Sequence, residues 1–141
     1  MSINIYNPAN SKISDNTFAN FLRLPLTGNI LEIPGISKKQ AILLARGDIG
    51  DQITSSFQLI GKFLLMKSKN KDEDKNENND GDDGDDGDDS YDYINPKKHC
   101  QLFYNYLKNK GITTSRNDIV MAIAEKSNTI FPGMYDYTYY N

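Results

Sequence analysis

The sequence predicts a compact all-α domain, and three observations lead to this fold class. Apolar residues recur at helical spacing in several separate stretches. These stretches are bounded by Ser, Asn, Pro and Gly, which are typical of helix starts and ends. The 141 residues, 38% of them hydrophobic, suffice for one core but not for two. We therefore expect a single bundle of five or six short helices.

The helical body is flanked and interrupted by polar or low-complexity segments. Residues 1–14 are rich in Asn and Ser and predict a flexible arm. The helical domain spans 15–131 and is interrupted at 67–95 by an acidic insert with an Asp/Gly repeat. The insert has almost no apolar residue to bury, so we expect it to be disordered. Residues 132–141 form a tyrosine-rich tail, which we expect to be extended.

Two helices are predicted before the first Pro-Gly pair. Ser14 or Asp15 begins the first, which ends near Pro25. Residues 28–33 predict a brief second helix, which Pro34-Gly35 stops. The apolar stripe of the first helix is Phe18, Phe21 and Leu22.

A third and a fourth helix follow the Pro-Gly pair. The third begins at Ser37, which has capping-box spacing to Gln40, and closes at Gly47. The fourth is predicted from about Asp51 to Met66 and is central to the expected core. Its apolar stripe is Ile53, Phe57, Ile60, Phe63, Leu64 and Leu65.

Two more helices are predicted after the insert. Asn95-Pro96 is a cap followed by proline at the first helical position, and Gly111 ends this fifth helix. Ser115 to Asp118 is another capping-box pattern, which begins a sixth helix running to about Ile130. The fifth helix buries Leu102, Phe103, Tyr106 and Leu107.

The net charge of −3 averages two unlike parts of the chain. Residues 67–95 hold four lysines and twelve acidic residues, a balance of −8, while the rest holds twelve basic and seven acidic residues, a balance of +5. Charges more than about 10 Å apart are largely screened, so each part acts locally. The basic body can therefore attract phosphates.

Several classes of function are excluded by composition. A single cysteine and a single histidine cannot form a disulfide or a four-ligand zinc site. His99 and Cys100 are neighbours in a helix, where adjacent side chains do not face each other, so we expect a partly exposed histidine and a small buried cysteine. We expect no enzyme, cofactor, metal or small-molecule substrate. Without a long apolar run or a signal peptide, the protein is expected to be intracellular and off the membrane.

The segment Ile33-Pro34-Gly35-Ile36-Ser37 predicts the turn of a helix-hairpin-helix. Gly35 permits a positive φ, Ile36 anchors the turn in the core, and the N–H groups that begin the next helix face outward. Lys38 and Lys39 lie at the positive end of the helix dipole, where a bound phosphate explains lysines better than helix stability does. The alternative is an αα-corner that needs Pro-Gly only to turn.

Three blocks in order resemble the barrier-to-autointegration factor family: Pro25 to Met66, Leu102 to Lys108, and Gly111 with Ser115 to Asp118. The resemblance covers roughly 26–66 and 97–131. It implies a small dimeric helical protein that bridges DNA, with Gly35, Ile36 and Ser37 at the phosphate-contacting turn, Lys38 and Lys39 beside it, and Arg116 as a further basic contact. Ser37 stands where the family has a glycine, Tyr106 where it has a tryptophan, and the insert and tail have no counterpart.

The sequence thus predicts sequence-independent binding of double-stranded DNA, with bridging by a homodimer, in a nucleus, virion or viral DNA-containing compartment. The alternative is an adaptor that keeps the fold and recruits proteins without binding DNA. Three interpretations of the insert stay open: a solvated linker, a calcium-binding segment, or a DNA mimic that competes with DNA for the hairpin. For the tail tyrosines, three interpretations stay open: they stack on bases, dock on a partner subunit, or pack on their own domain.

Overall fold

The computed structural model describes residues 5–66, 95–132 and 134, and within these residues the fold is all-α, as predicted. The predicted arm residues 1–4, the insert at 67–94 and the tail residues 133 and 135–141 lie outside the described residues. Short 3-10 helices span Pro8–Asn10 and Ile30–Glu32. The α-helices are α1 (Asp15–Arg23), α2 (Lys38–Ala45), α3 (residues 56–66), α4 (Pro96–Asn109) and α5 (Arg116–Ile130).

Local capping sets three of the helix starts, as the sequence predicts. Ser14 Oγ accepts the N–H of Thr17 at the start of α1. Asn95 Oδ1 accepts the N–H of Lys97 at the start of α4, with proline in the first helical position. Ser37 and Gln40 form both hydrogen bonds of the capping box that starts α2. These side chains satisfy N–H groups that have no partner inside the helix.

The second predicted helix, residues 28–33, is wrong in extent: only the single 3-10 turn Ile30–Glu32 forms. Gly28 has a φ of 98°, which no helix accepts. The Glu32 carboxylate folds back to accept the N–H groups of Thr27 and Gly28, at distances of 3.0–3.2 Å. The backbone before Ile30 is therefore held in a loop.

The predicted start of α3 at Asp51 is also wrong, because α3 begins at residue 56. The N–H of Ile53 donates to the Leu44 carbonyl, and Ser55 pairs with Asn29 in an isolated antiparallel bridge. Tertiary hydrogen bonds thus keep the five residues before α3 out of the helix.

The later start rotates the apolar face of α3 relative to the prediction. Phe57 and Leu65, predicted to be inward, are 57% and 65% exposed, whereas Leu59 is fully buried. The buried positions Ser56, Leu59, Ile60 and Phe63 have the spacing of one helical face. Leu59 belongs to this face, and the sequence pattern missed it.

The capping box predicted at Ser115 does not form. Ser115 has a left-handed φ of 62°, and its side chain makes no capping hydrogen bond. The Asp118 carboxylate instead accepts the N–H of Lys12 from the arm, at 2.7 Å. A left-handed φ at a residue other than glycine costs about 1–2 kcal/mol, and tertiary contacts at the start of α5 hold it there.

The core lies where α4 and α5 pack together and against α3 and the loop after Ile30. Phe63 and Phe103 meet edge to face with ring centres 5.2 Å apart, an arrangement aromatic rings prefer. Leu44 of α2 is fully buried as well. The remaining side chains with at most 1% exposure are Ile33, Leu59, His99, Leu107, Ile112, Ile119, Val120, Ala122 and Ile123, with Ser56 and Ser127.

Two lysines bind carbonyl groups at the ends of α1 and α2. Lys126 Nζ donates to the carbonyls of Phe21 and Leu22 and, at 2.5 Å, of Leu24, all at the end of α1. Lys110 Nζ donates to the Arg46 carbonyl at the end of α2, at 2.6 Å. Cations at these positions also oppose the negative end of each helix dipole.

His99 performs the corresponding task for α3, so the expectation of a partly exposed histidine is wrong. Its ring stacks on Phe63 with centres 3.9 Å apart and is fully buried. The Nε2 atom lies 2.6 Å from the Phe63 carbonyl oxygen. Burial of this polar ring is compensated by that hydrogen bond. Cys100 is buried, as predicted.

The described part of the arm, residues 5–14, packs on α4 and α5. The N–H of Tyr6 donates to Gln101 Oε1 at 2.7 Å, and the N–H of Asn7 donates to Asn117 Oδ1 at 2.9 Å. Together with the bond from Lys12 to Asp118, these contacts fix a segment for which the sequence predicts flexibility. Polar side chains on α4 and α5 thus accept the N–H groups of Tyr6, Asn7 and Lys12, which lie outside the 3-10 helix of the arm.

Candidate nucleic-acid interface

The turn from Ile33 to Ser37 is anchored in the core at both ends. Ile33 and Ile36 are 1% and 7% exposed, and the N–H of Ile36 donates to the Ile33 carbonyl at 3.1 Å. Gly35 between them has a φ of 98°. The predicted core anchor, Ile36, is confirmed, and the turn presents a fixed backbone rather than a mobile loop.

Gly35 also packs against the first turn of α5. A Cβ atom added at Gly35 would lie 2.9 Å from Ile119 Cγ1 and 3.0 Å from Asp118 Cβ. Real Cβ atoms essentially never show a contact as short as the one to Ile119, and the one to Asp118 is tighter than most, so this close approach favours glycine. The N-terminal ends of α2 and α5 are thereby brought together at the turn.

The N-terminal end of α2 offers open backbone donors. The N–H of Ser37 donates to Gln40 Oε1 at 2.9 Å, and Ser37 Oγ accepts the N–H of Gln40 at 3.3 Å. The next two N–H groups, of Lys38 and Lys39, have no acceptor among the described residues. An anion placed here would receive both donors and the positive end of the helix dipole.

The N-terminal end of α5 repeats this arrangement beside the first. Ser115 provides no capping hydrogen bond, and within the described part of the chain the N–H groups of Asn117 and Asp118 have no acceptor. Two positive helix ends therefore meet around Gly35. Each end carries the positive partial charge of its helix dipole, which the carboxylate of Asp118 in the first turn of α5 partly offsets.

Three lysines and the carboxylate of Asp118 lie around the turn. Lys38 and Lys39 are exposed, and the first turn of α2 contains no acidic residue. Lys12 is exposed and is joined through its N–H to Asp118, whose Cβ faces Gly35. Sequence reasoning missed Lys12, because only the fold of the arm brings it to the hairpin. A basic residue in a polar arm was its one sequence signal.

Glu32, the nearest acidic residue in sequence before the turn, is engaged inside the fold. Besides the two N–H groups, its carboxylate accepts the hydroxyls of Thr27 and of Ser56, the latter at 2.6 Å. Burial alone raises the pKa of Glu32, but the hydrogen bonds from Ser56, Thr27 and Gly28 outweigh it and hold the pKa below its usual value. This carboxylate is directed toward α3.

Arg116 lies in the first turn of α5 but is largely covered. Its exposed fraction is 9%, and its guanidinium carbon lies 4.1 Å from the centre of the Tyr104 ring. This is a cation–π contact in a buried setting. The structure brings the backbone of Arg116 to the hairpin, while its side chain runs beneath the surface instead of across it.

A second feature is a groove of about 990 Å³ on the opposite side of α5 from Lys126. The arm, the first turns of α4 and one face of α5 line it, with mostly apolar atoms. Its walls include Tyr6, Phe18, Lys97, Cys100, Met121 and Asn128. Such a groove is large enough for side chains of a partner.

A third feature is the set of His, Cys, Asp and Glu side chains among the described residues. No group of three or more His, Cys, Asp or Glu side chains that could hold a metal ion occurs among them. Burial, with a smaller contribution from the charge of Glu125, raises the pKa of the Cys100 thiol to about 12. The thiol is therefore protonated at neutral pH and is a poor nucleophile. In the same part of the chain, no helix is long and apolar enough to cross a membrane.

Comparison of the chain with protein-family models, with curated proteins and with solved structures finds no match. The function is therefore inferred from the sequence and from the geometry of the described residues.

Proposed function

We propose that the protein binds double-stranded DNA through phosphate contacts without reading its sequence. The observation that carries this proposal is the meeting of two helix N-termini around Gly35, with Lys12, Lys38 and Lys39 exposed beside them. Backbone N–H groups and lysines recognise phosphate oxygens, which are the same at every base pair. The resemblance to the barrier-to-autointegration factor family supports the same function.

Each predicted site residue has a defined part in this proposal. Gly35 and Ile36 shape the turn. Ser37 caps α2, and its N–H and hydroxyl are already bonded to Gln40. The phosphate is therefore bound by the N–H and ammonium groups of Lys38 and Lys39. Arg116 adds positive charge from beneath the surface. A buried charge raises the local potential without a direct contact.

The test is a binding titration of labelled random duplexes over a range of salt. Phosphate contacts predict that affinity falls steeply between about 50 and about 200 mM salt and differs little between sequences. Lys38→Ala/Lys39→Ala should weaken binding to all duplexes and lower the steepness of the salt dependence by about two phosphate contacts.

The matched control is Lys97→Ala/Lys98→Ala. These lysines are also exposed, also occupy the first turn of a helix and carry the same total charge, but they lie at the start of α4. We expect this control to keep the salt dependence of the unchanged protein. Equal losses in the two double variants would mean that net charge, not the hairpin, determines binding.

Bridging of two duplexes and action in a nucleus, virion or viral DNA-containing compartment extend the proposal. One hairpin provides one phosphate-binding surface, so bridging requires a second copy of the chain. Sedimentation of the protein with and without short duplexes distinguishes a dimer carrying two duplexes from a monomer carrying one.

The second candidate is an adaptor without DNA binding, and the apolar groove beside Tyr6 and Met121 favours it. A groove lined mostly by apolar atoms can accept apolar side chains of a protein partner. Met121→Glu places a charge in the groove and leaves the hairpin unchanged. If the protein is an adaptor, Met121→Glu should lose binding to the protein partner. If it binds DNA through the hairpin, Met121→Glu should keep the DNA affinity of the unchanged protein.

A further inference from the structure

Gln40 is a buried polar residue of α2, 7% exposed, whose side chain joins two separate segments. Its Oε1 accepts the N–H and the hydroxyl of Ser37, at 2.9 and 3.1 Å. Its Nε2 donates to the carbonyl and the hydroxyl oxygen of Thr114, at 2.9 and 3.1 Å. Thr114 lies two residues before α5. One amide thus connects the start of α2 to the start of α5.

A second capping box in the same chain lacks this connection. Ser55 and Gln58 begin α3 with the same spacing: the N–H of Gln58 donates to Ser55 Oγ, and the N–H of Ser55 donates to Gln58 Oε1, both at 3.1 Å. Gln58 is exposed, and its Nε2 has no acceptor among the described residues. Capping a helix therefore requires neither the burial of Gln40 nor its bond to Thr114.

We propose that Gln40 is a positioning residue of the phosphate-binding surface. Its amide fixes the N–H groups of Lys38 and Lys39 relative to those of Asn117 and Asp118, so that both sets face the same stretch of DNA backbone. Only a side chain with both an acceptor and a donor can make this link. Fixing the two segments before binding removes the entropy cost of ordering them on the DNA. This inference rests on the proposed function.

The test uses Gln40→Leu, with Gln58→Leu as the matched control. Both remove one capping glutamine, but only Gln40→Leu cuts the link to Thr114. In the DNA-free protein, we expect faster hydrogen exchange of the buried Ile119 amide, which donates to the Ser115 carbonyl, in Gln40→Leu and unchanged exchange there in Gln58→Leu. We expect the affinity of Gln40→Leu for a random duplex to fall by about two- to tenfold. Its salt dependence should not change, because no phosphate contact is removed.

The possible outcomes separate this inference from the proposed function. If the unchanged protein does not bind duplex DNA, the proposed function fails, while hydrogen exchange still reports on the link. If DNA is bound and Gln40→Leu matches Gln58→Leu in affinity and exchange, the positioning role is overturned. Should Gln40→Leu not fold, Thr114→Val keeps the capping box and removes one acceptor of the amide. It should shift exchange and affinity in the same direction by less, and wild-type behaviour of Thr114→Val would refute the role.

Discussion

Glu32 shows how a single side chain affects the charge around the hairpin. From sequence alone, a carboxylate two positions before Pro34 is expected to repel phosphate. In the structure its oxygens accept hydrogen bonds from Thr27, Gly28 and Ser56. These bonds tie the loop before the 3-10 helix to the start of α3. The Glu32 carboxylate thus stabilises the loop that precedes the hairpin.

We predict that Glu32→Gln lowers the free energy of unfolding at neutral pH by about 1–3 kcal/mol, since hydrogen bonds to a charged acceptor are lost. The pKa of Glu32 is lower in the folded than in the unfolded protein, whose value is about 4.3. Its contribution is therefore complete above that pH and is lost as the pH falls through the folded-state pKa. Urea denaturation from pH 7 downward should show the two proteins converging in acid.

Glu125→Gln provides the control for this pH dependence. It removes the same charge from an exposed residue whose carboxylate accepts no hydrogen bond from the described part of the chain. We expect it to keep the stability of the unchanged protein at pH 7 to within about 0.5 kcal/mol. A constant difference between Glu32→Gln and the unchanged protein across the acid range would contradict the role given to ionised Glu32.

At the scale of elements, the junction between the hairpin and α5 depends on the absence of a side chain at Gly35. Gly35 and Gly50 have the same φ of 98°, but a Cβ at Gly50 would meet nothing within 4 Å. Gly50→Ala should therefore cost only the backbone strain, about 1 kcal/mol. Gly35→Ala should cost about 1–3 kcal/mol more, because Ile119 and Asp118 must move.

Thermal unfolding of the two glycine variants measures the difference. For Gly35→Ala we also expect weaker DNA binding, since separation of α5 from the hairpin parts the two helix ends. Equal stability of Gly35→Ala and Gly50→Ala would show that the close approach to Ile119 has no energetic importance.

The elements also show which parts of the fold are encoded locally. Ser14, Ser37 and Asn95 are caps whose partners lie two or three residues away, and all three helix starts were predictable. The start of α3 was not predicted, because contacts distant in sequence hold residues 51–55 outside the helix, which then begins at the capping box of Ser55 and Gln58. The start of α5 at Ser115 was predicted, but the capping hydrogen bond expected there does not form.

The candidate site divides in the same way. Gly35, Lys38 and Lys39 could be predicted, because a hairpin motif and its flanking charges are local in sequence. The positions of Lys12 and Gln40 could not, since each depends on a contact made across the fold: Lys12 to Asp118 and Gln40 to Thr114. The covering of Arg116 by Tyr104 is likewise a product of packing.

At the scale of the whole molecule, part of the basic charge is unavailable to a ligand. Lys62 lies 3.5 Å from Asp51, while Lys110, Arg116 and Lys126 are largely covered by other groups. The exposed basic residues of the described chain are Lys12, Arg23, Lys38, Lys39, Arg46, Lys97, Lys98 and Lys108. Against these stand the twelve acidic and four basic residues of 67–95.

Deletion of residues 70–92 tests whether this acidic segment competes with DNA. Competition by local charge predicts higher affinity of the deletion variant for duplex DNA at low salt, with the difference vanishing as salt screens both attractions. The control replaces the same residues by a Gly/Ser linker of equal length. Unchanged affinity at low salt in both variants would leave the segment as a passive linker.

The hydrogen bonds that cap the ends of α1, α2 and α3 connect two parts of the chain, one before and one after the acidic insert. The carbonyl groups belong to residues before position 67, and the side chains that bind them, from His99, Lys110 and Lys126, all belong to residues after position 94. The core joins the same two pieces through Phe63 and Phe103. We therefore expect the two pieces to stabilise each other even after a break in the backbone between them.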